Sequence, residues 1–234
     1  MPPVAILAGG LATRLRPLTD QTPKALVPVL GEPFIAHQLR LLKREGVSDV
    51  VMLVGYLGER IAAFVGIGEA FGLRVRYSYD GPKLLGTGGA LKQALPLLGA
   101  EFMVLYGDSY LDIPMRPVVD AFQTSDQPAL MTVLRNDGRW DKSNARLERD
   151  SRVCYDKRNP TPDMQWIDYG LGVLDASVFE PYEAGQAFDL ASLYERLSGA
   201  GKLMGFEVRN RFYEIGSLAG LAETESYLRG ASSQ

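Results

Sequence analysis

The chain has 234 residues, 46% of them hydrophobic and 23% charged, enough for one large domain with a buried core. A formal net charge of −3 supplies no basic excess for coating a polynucleotide, so any phosphate-bearing partner should be small and no nucleic acid is expected. One cysteine, Cys154, and one histidine, His37, exclude an internal disulfide and argue against metal sites built from nitrogen and sulfur, which leaves oxygen-bound magnesium open.

In chain order, Met1-Pro2-Pro3-Val4 has neither a charged lead nor a cleavable apolar stretch, and no run approaches membrane-spanning length. A cytoplasmic protein with no membrane partner is expected. Val4 to Leu7 reads as a buried central strand that ends at Gly9 and Gly10, a pair that lets the backbone turn sharply and bring its N–H groups to a bound anion. Arg14 adds a planar fork of donors suited to phosphate oxygens, and Lys24 a compact charge further along the same excursion. The residue order is neither G-x-x-x-x-G-K-[ST] nor G-x-G-x-x-G, so a different phosphate cradle is required. An irregular solvated loop would leave Gly9, Gly10, Arg14 and Lys24 without a shared purpose.

The string from Leu7-Ala8-Gly9-Gly10 through Thr13-Arg14-Leu15 and Pro17-Leu18-Thr19 to Pro23-Lys24-Ala25-Leu26-Val27-Pro28 resembles the signature of the sugar-1-phosphate nucleotidyltransferases. Those enzymes make nucleotide-activated sugars from a nucleoside triphosphate and a sugar 1-phosphate. The resemblance implies nucleotide contacts from Leu7, Ala8, Gly9, Gly10, Thr13 and Arg14, with Arg14 and Lys24 catalytic.

Pro33 to Glu45 reads as a helix with Pro in its first turn, an apolar stripe of Phe34, Leu39, Leu41 and Leu42, and Gly46 beyond its end. His37 lies inside it and reads as structural or surface rather than catalytic. Asp49 to Val54 is an apolar strand, a short helix runs through Phe64, and Arg74 to Tyr79 is an alternating strand. Strand alternating with helix predicts an α/β fold, a Rossmann-like doubly wound mixed sheet in three α/β/α layers. Leu84 to Leu91 is a second glycine-rich turn, opening a helix expected over Ala90 to Leu95. Thr87 as an N-cap would explain this turn almost as well. The family carries a similar L-G-T-(A/G) turn, which implies nucleotide contacts from Gly86, Thr87 and Gly88.

Phe102 to Tyr106 is an apolar strand that delivers Gly107-Asp108-Ser109. An acid just past the carboxyl end of a central strand lies where open α/β sheets bind ligands, and its carboxylate is a ready magnesium ligand; a turn-forming Asp is the plainer alternative. The element resembles the family's metal-holding G-D-x, which implies Asp108 as a catalytic metal ligand with Gly107 beside the sugar phosphate.

A helix around Pro117 to Thr124 and a strand from Ala129 to Leu134 come next. Polar turns at 136–139, 148–151 and 156–160 then predict a meander over one end of the sheet, a smaller β-rich acceptor-binding portion. Val153 to Lys157 resembles the family strand whose acid-lysine pair touches sugar and phosphate, with Asp156 where Glu is more usual and Lys157 as phosphate partner. Trp166 to Leu174 resembles the (N/D/T)-x-G strand, implying Asp168 on a sugar hydroxyl and Gly170 as room for the ring; Asp168 as a strand-edge carboxylate is the alternative. Phe188 to Leu197 reads as a helix capped by Asp189, and Leu203 to Val208 as a strand. Arg211 to Ser217, before a terminal helix to Leu228, resembles the aromatic-(D/E)-x-G-(T/S) element whose acid completes the metal site. Here that acid is Glu214, one methylene longer than the commoner Asp. No hexapeptide repeat follows.

The expected organisation is one domain over residues 1–234, binding nucleotide in about 1–125 and sugar phosphate in about 126–234. A sugar-1-phosphate oxygen would attack the α-phosphorus with magnesium as cofactor, and the nucleophile, already anionic, needs no general base. Three readings compete. A glycosyltransferase would show an Asp-x-Asp metal motif; a cytidylyl- or uridylyltransferase of the same fold could act on another sugar phosphate or on phosphocholine; a non-catalytic relative would have lost Arg14, Lys24 or Asp108. The Leu-Ala-Gly-Gly opening and Gly-Asp-Ser-Tyr element look most similar to guanylyltransferases for mannose-type or heptose 1-phosphates, which favours GTP. A homodimer is compatible with the sequence.

Overall fold

The computed structural model describes residues 1–231. β1 (Val4–Leu7) opens into a long excursion that closes in the hairpin β2 (Pro28–Val29) and β3 (Glu32–Pro33) and enters α1 (Phe34–Arg44). β4 (Asp49–Val54), α2 (Gly58–Val65), β5 (Arg74–Tyr79), α3 (Gly86–Leu98) and β6 (Glu101–Tyr106) follow. The second half contains β7 (Ser109–Tyr110), α4 (Arg116–Gln123), β8 (Ala129–Arg135), β9 (Ala145–Leu147), β10 (Val153–Tyr155) and β11 (Trp166–Asp175). It ends with α5 (Leu190–Gly199), β12 (Met204–Val208), β13 (Tyr213–Glu214) and α6 (Leu218–Ala231).

β5, β4, β1 and β6 lie side by side and parallel, with β11 antiparallel on the far side of β6. The chain steps outward from β1 to β4 and β5, then crosses back to β6 on the other flank of β1. That reversal puts a crevice at the carboxyl end of β1, where open α/β sheets bind ligands. Side chains alternate between two cores: Val4 and Ile6 pack under α1, α2 and α4, whereas Ala5 packs with α3 and α5. The result is the expected three-layer, doubly wound mixed sheet.

The expected meander over one end is corrected. β8, β9, β10 and β12 all join the same nine-stranded sheet. The reason lies in β11, whose Tyr169 to Leu174 are all buried; a strand buried on both faces must sit inside a sheet, and β11 is flanked there by β6 and β8.

α3 begins at Gly86, earlier than the expected Ala90, and runs past Leu95 to Leu98. The exchange of caps at its start is a second correction. Thr87 does not cap α3; its Oγ1 accepts from Leu190 N at 2.8 Å and so caps α5, while Asp189 makes no side-chain cap bond. Gly88 and Gly89 donate their N–H groups to Phe188 O at 2.9 and 3.2 Å, and a Cβ on Gly88 would strike the Phe188 ring. The glycines of this turn therefore answer first to the close approach of the 186–189 segment.

Candidate active site

A cleft of about 370 Å3 opens at the carboxyl ends of β1, β4 and β6. Leu7, Ala8, Gly9, Gly10, Thr13 and Arg14 line one side of it. Lys24, Gly107 and Asp108 line the side below β6, and Gly86 and Thr87 close the far end. Gly88, expected as a nucleotide contact, lies beneath Phe188 with its N–H already used.

The excursion after β1 is held by its own contacts. Ala8 N donates to Leu53 O at 2.9 Å and Tyr56 N to Gly9 O at 3.3 Å, which keeps Gly9 so close to Gly55 that a Cβ would come within 3.1 Å of Gly55 N. Ala12 adopts φ 48°, a left-handed conformation that a non-glycine residue holds only under constraint. Leu15 N and Thr19 Oγ1, both donating to Ala12 O, supply that constraint, and the buried Leu15 side chain anchors the turn. The N–H groups of Gly10 and Leu11 have no hydrogen-bond partner among the described residues, and Gly10 lines the cleft. Arg14, between these anchors, makes no hydrogen bond or ion pair among the described residues.

Across the cleft, Lys24 Nζ donates to Asp108 Oδ2 in a partly buried ion pair. β13 pairs antiparallel with β7, setting Glu214 opposite Ser109, and Ile215 N donates to Asp108 O at 3.0 Å. Burial raises the Glu214 carboxyl pKa, and the Asp108 charge raises it further, against the pull of Lys24 and Arg14. Gly216 marks how closely this corner is packed: a Cβ there would lie 3.1 Å from Glu214 Oε1 and 3.4 Å from the Arg14 guanidinium. A Glu214 carboxylate whose charge is disfavoured by that of Asp108, beside an open cleft, suits a hard divalent cation with oxygen ligands. Magnesium in phosphoryl-transfer sites takes one or two carboxylates and completes its shell with water and substrate phosphate, so Asp108 and Glu214 suffice.

The chain sequence did not point to Gln38. From α1 its fully buried side chain donates Nε2 to Tyr106 O at 2.9 Å and to Ser109 O at 2.8 Å, bracketing the turn that carries Asp108. A buried amide donating twice to carbonyls on either side of a ligand-bearing turn leaves both carbonyls orphaned when removed. Gln38→Leu is expected to destabilise the fold by about 1–3 kcal/mol in denaturant titration and to lower kcat as the turn loosens; an unchanged midpoint would show the clamp to be dispensable.

On the acceptor side, the structure spreads the expected residues. Asp156 Oδ1 accepts from Arg158 N and Asn159 N at 2.9 and 2.7 Å, closing its own turn. Lys157 is exposed at that turn, without a side-chain hydrogen bond among the described residues, and attracts Asp168 electrostatically. Gly170 sits in an irregularity of β11 at φ 101°, where only glycine is at ease, and its N–H donates to Asp168 Oδ1 at 3.0 Å. Its missing Cβ faces Tyr106, Leu111 and Ser109, so the glycine serves the bend of the strand. Burial pushes the Asp168 carboxyl up to about 6, opposed by the Gly170 N–H and by Lys157.

That shift has a measurable sign. A carboxyl whose folded pKa lies above its unfolded value costs nothing below about pH 4 and its full penalty above about pH 6. Asp168→Asn keeps an oxygen for Gly170 N–H and removes the charge. Its stability relative to the parent should therefore rise between pH 4 and 6 and level off at about 1–2 kcal/mol above, after allowance for partial exposure. Thermal melts across pH 4–8 would show it; a flat difference would mean that Asp168 is not desolvated.

A doubly wound sheet with a glycine turn, unpaired arginine and paired acids at its switch point defines a phosphate-binding α/β enzyme. The chain belongs to the nucleotidyl transferase family, whose model matches residues 4–143. It is 32% identical over 233 residues to an N-acetylmuramate α-1-phosphate uridylyltransferase of Neisseria meningitidis, covering 97% of both chains. It is 27% identical to a D-glycero-α-D-manno-heptose 1-phosphate guanylyltransferase of Aneurinibacillus thermoaerophilus, covering 90% of this chain and 91% of that one. In fold it matches HddC from Yersinia pseudotuberculosis, solved as a complex with GMP-PN, with a TM-score of 0.79 at 23% identity over 97% of this chain and all of that one. No helix among the described residues is long and apolar enough to cross a membrane.

Proposed function

We propose that this chain transfers a guanylyl group from GTP to a sugar 1-phosphate of the mannose or heptose type, releasing pyrophosphate and forming a nucleoside diphosphate sugar. The observation that carries this reading is the convergence of Arg14, the Lys24–Asp108 pair and Gly10 on one cleft, with Glu214 within electrostatic reach of Arg14, Lys24 and Asp108. An acceptor phosphate oxygen bonds to the α-phosphorus as the bond to the β-phosphate's bridging oxygen breaks, and the electron pair leaves with pyrophosphate. The nucleophile is an anion at neutral pH and needs no base.

What opposes the reaction is charge: anions brought together repel by several kcal/mol at an effective dielectric of about 20. Magnesium, held by Asp108 and Glu214, would supply neutralisation at the reacting phosphates. Arg14 and the Gly10 and Leu11 N–H groups hold the departing pyrophosphate, and Lys24 swings from Asp108 to the α-phosphate. Lys157 takes the acceptor phosphate, and Asp168 accepts from a sugar hydroxyl. The nucleotide thus occupies the half before about residue 125 and the acceptor the half after it.

A pyrophosphate-release assay over four triphosphates and a panel of hexose, heptose and N-acetylated sugar 1-phosphates tests the reading, with GTP and a mannose- or heptose-type acceptor expected to lead. Release with no pair would overturn it. The Neisseria relative, named for uridylyl transfer, favours UTP as a second reading, and the same panel decides between them.

A further inference from the structure

We propose that Asp112 and Tyr227 are positioning residues that act through Tyr213 to hold Glu214 at its corner of the cleft, a role that rests on Asp108 and Glu214 being the cation-holding pair. Neither residue lines the cleft. β13 is two residues long and pairs with the two residues of β7, apart from the nine-stranded sheet. So short a ladder is not stable in water by itself, and Glu214 must take its place from what holds its neighbours.

Ile215, on one side, is fully buried and donates its N–H to Asp108 O. Tyr213, on the other, is only half-buried, and its ring is held from α6. It stacks on the Tyr227 ring with centroids 4.1 Å apart and planes 17° from parallel. The Arg211 guanidinium, ion-paired with Glu223 of α6, lies 5.1 Å from the Tyr213 centroid. Successive side chains of a strand point to opposite faces, so a ring pinned on α6 turns the next side chain away from the helix. That next side chain is Glu214, which feels the charges of Asp108, Lys24 and Arg14. The helix also meets the Glu214 backbone. A Cβ on Gly220 would strike Glu214 O, and the fully buried Thr224 donates Oγ1 to Gly220 O at 2.7 Å and to Glu214 O at 3.4 Å.

Asp112 locks the stack from the other strand. It lies two residues past β7, the partner of β13. One of its carboxylate oxygens accepts from the Tyr227 hydroxyl and the other from Arg44 in the last turn of α1. Its carbonyl accepts from Asn210 Nδ2 at 3.1 Å, three residues before β13. The path from β7 through Asp112, Tyr227 and Tyr213 thus closes on β13. A hydroxyl donating to a carboxylate makes a short, directional bond, which fixes the height at which the Tyr227 ring meets Tyr213. Phenylalanine at 227 keeps the ring and loses that register.

The competing view is that Asp112 and Tyr227 fasten α6 to the body of the protein and nothing more. Mn2+, standing in for Mg2+, would be titrated into the full chain without substrate and the free ion read by electron paramagnetic resonance. The parent, Tyr227→Phe, Asp112→Ala, Glu214→Gln and their combinations are compared, with thermal melts alongside. Tyr227→Phe and Asp112→Ala should each weaken Mn2+ binding about 10-fold, as loss of a group that orients a metal ligand does. The two together should cost no more than one, and neither should weaken binding further once Glu214 is Gln, because all act through the same acid. In turnover the Mg2+ concentration for half-maximal rate should rise by a similar factor while the KM for sugar 1-phosphate stays in place. Tyr227→Phe, which removes one oxygen, decides the matter if Asp112→Ala does not fold. A lower thermal midpoint with parental Mn2+ affinity would overturn the proposal and leave the cation assignment intact, as would an equal loss in the Glu214→Gln background. Parental Mn2+ binding by Glu214→Gln itself would bring down the cation assignment, and the positioning role with it.

Discussion

Asp108→Asn is expected to lower kcat on the order of 10³-fold or more while the protein stays folded. The amide has the shape of the carboxylate and still accepts from Lys24, so the turn after β6, clamped by Gln38 and by Ile215 N, keeps its geometry. What disappears is one of the two negative charges at the Asp108–Glu214 corner. Lys24 loses its counter-charge, at a cost of about 1–2 kcal/mol for a partly buried pair. Part of that returns through Glu214, whose carboxyl is raised by Asp108 and relaxes once its neighbour is neutral. Stopped-flow pyrophosphate release beside a thermal melt measures both sides; near-parental turnover would remove Asp108 from the reaction and, with it, the assignment of magnesium to this corner.

How much of this was legible in the chain depends on the distance over which the physics acts. The glycine turn after β1, Arg14, and Asp108 at the end of β6 announce themselves locally, because each lies just past the carboxyl end of an apolar strand, where open α/β sheets bind ligands. Glu214 was legible only through resemblance, since nothing near it in sequence says that β13 pairs with β7. Features that depend on remote contacts were hidden: Gln38 reaches Ser109 across 71 residues and Thr87 reaches Leu190 across 103. Thr87 and Asp189 both have the local look of N-caps, and tertiary packing gave one cap to the other's helix. The expected meander failed for a related reason. Polar turns mark where strands end, not which neighbour they pair with.

Arg14→Lys tests the reaction from the leaving-group side. Arg14 lies in a turn fixed by Leu15, by Ala12 O and by Thr19, and among the described residues its guanidinium makes no hydrogen bond or ion pair, so the substitution breaks none and keeps the charge that attracts Glu214. Stability should change by less than about 0.5 kcal/mol, as at an ordinary exposed position. The rate should not escape. As the α-phosphorus bond loosens, charge accumulates on the departing pyrophosphate, and a planar fork meets two of its oxygens at once where an ammonium offers a single point charge. Losing such a charge-assisted bond at a transferring phosphate costs about 2–4 kcal/mol, roughly 30- to 1000-fold in kcat, because the bond strengthens in the transition state rather than in the ground state. The KM for triphosphate should accordingly move far less than kcat. Steady-state kinetics with the best substrate pair, read with a thermal melt, separate the possibilities: a folded variant with parental kcat/KM would take Arg14 out of the site and leave the glycine turn without its cation, whereas a loss in KM alone would make Arg14 a ground-state anchor for the triphosphate.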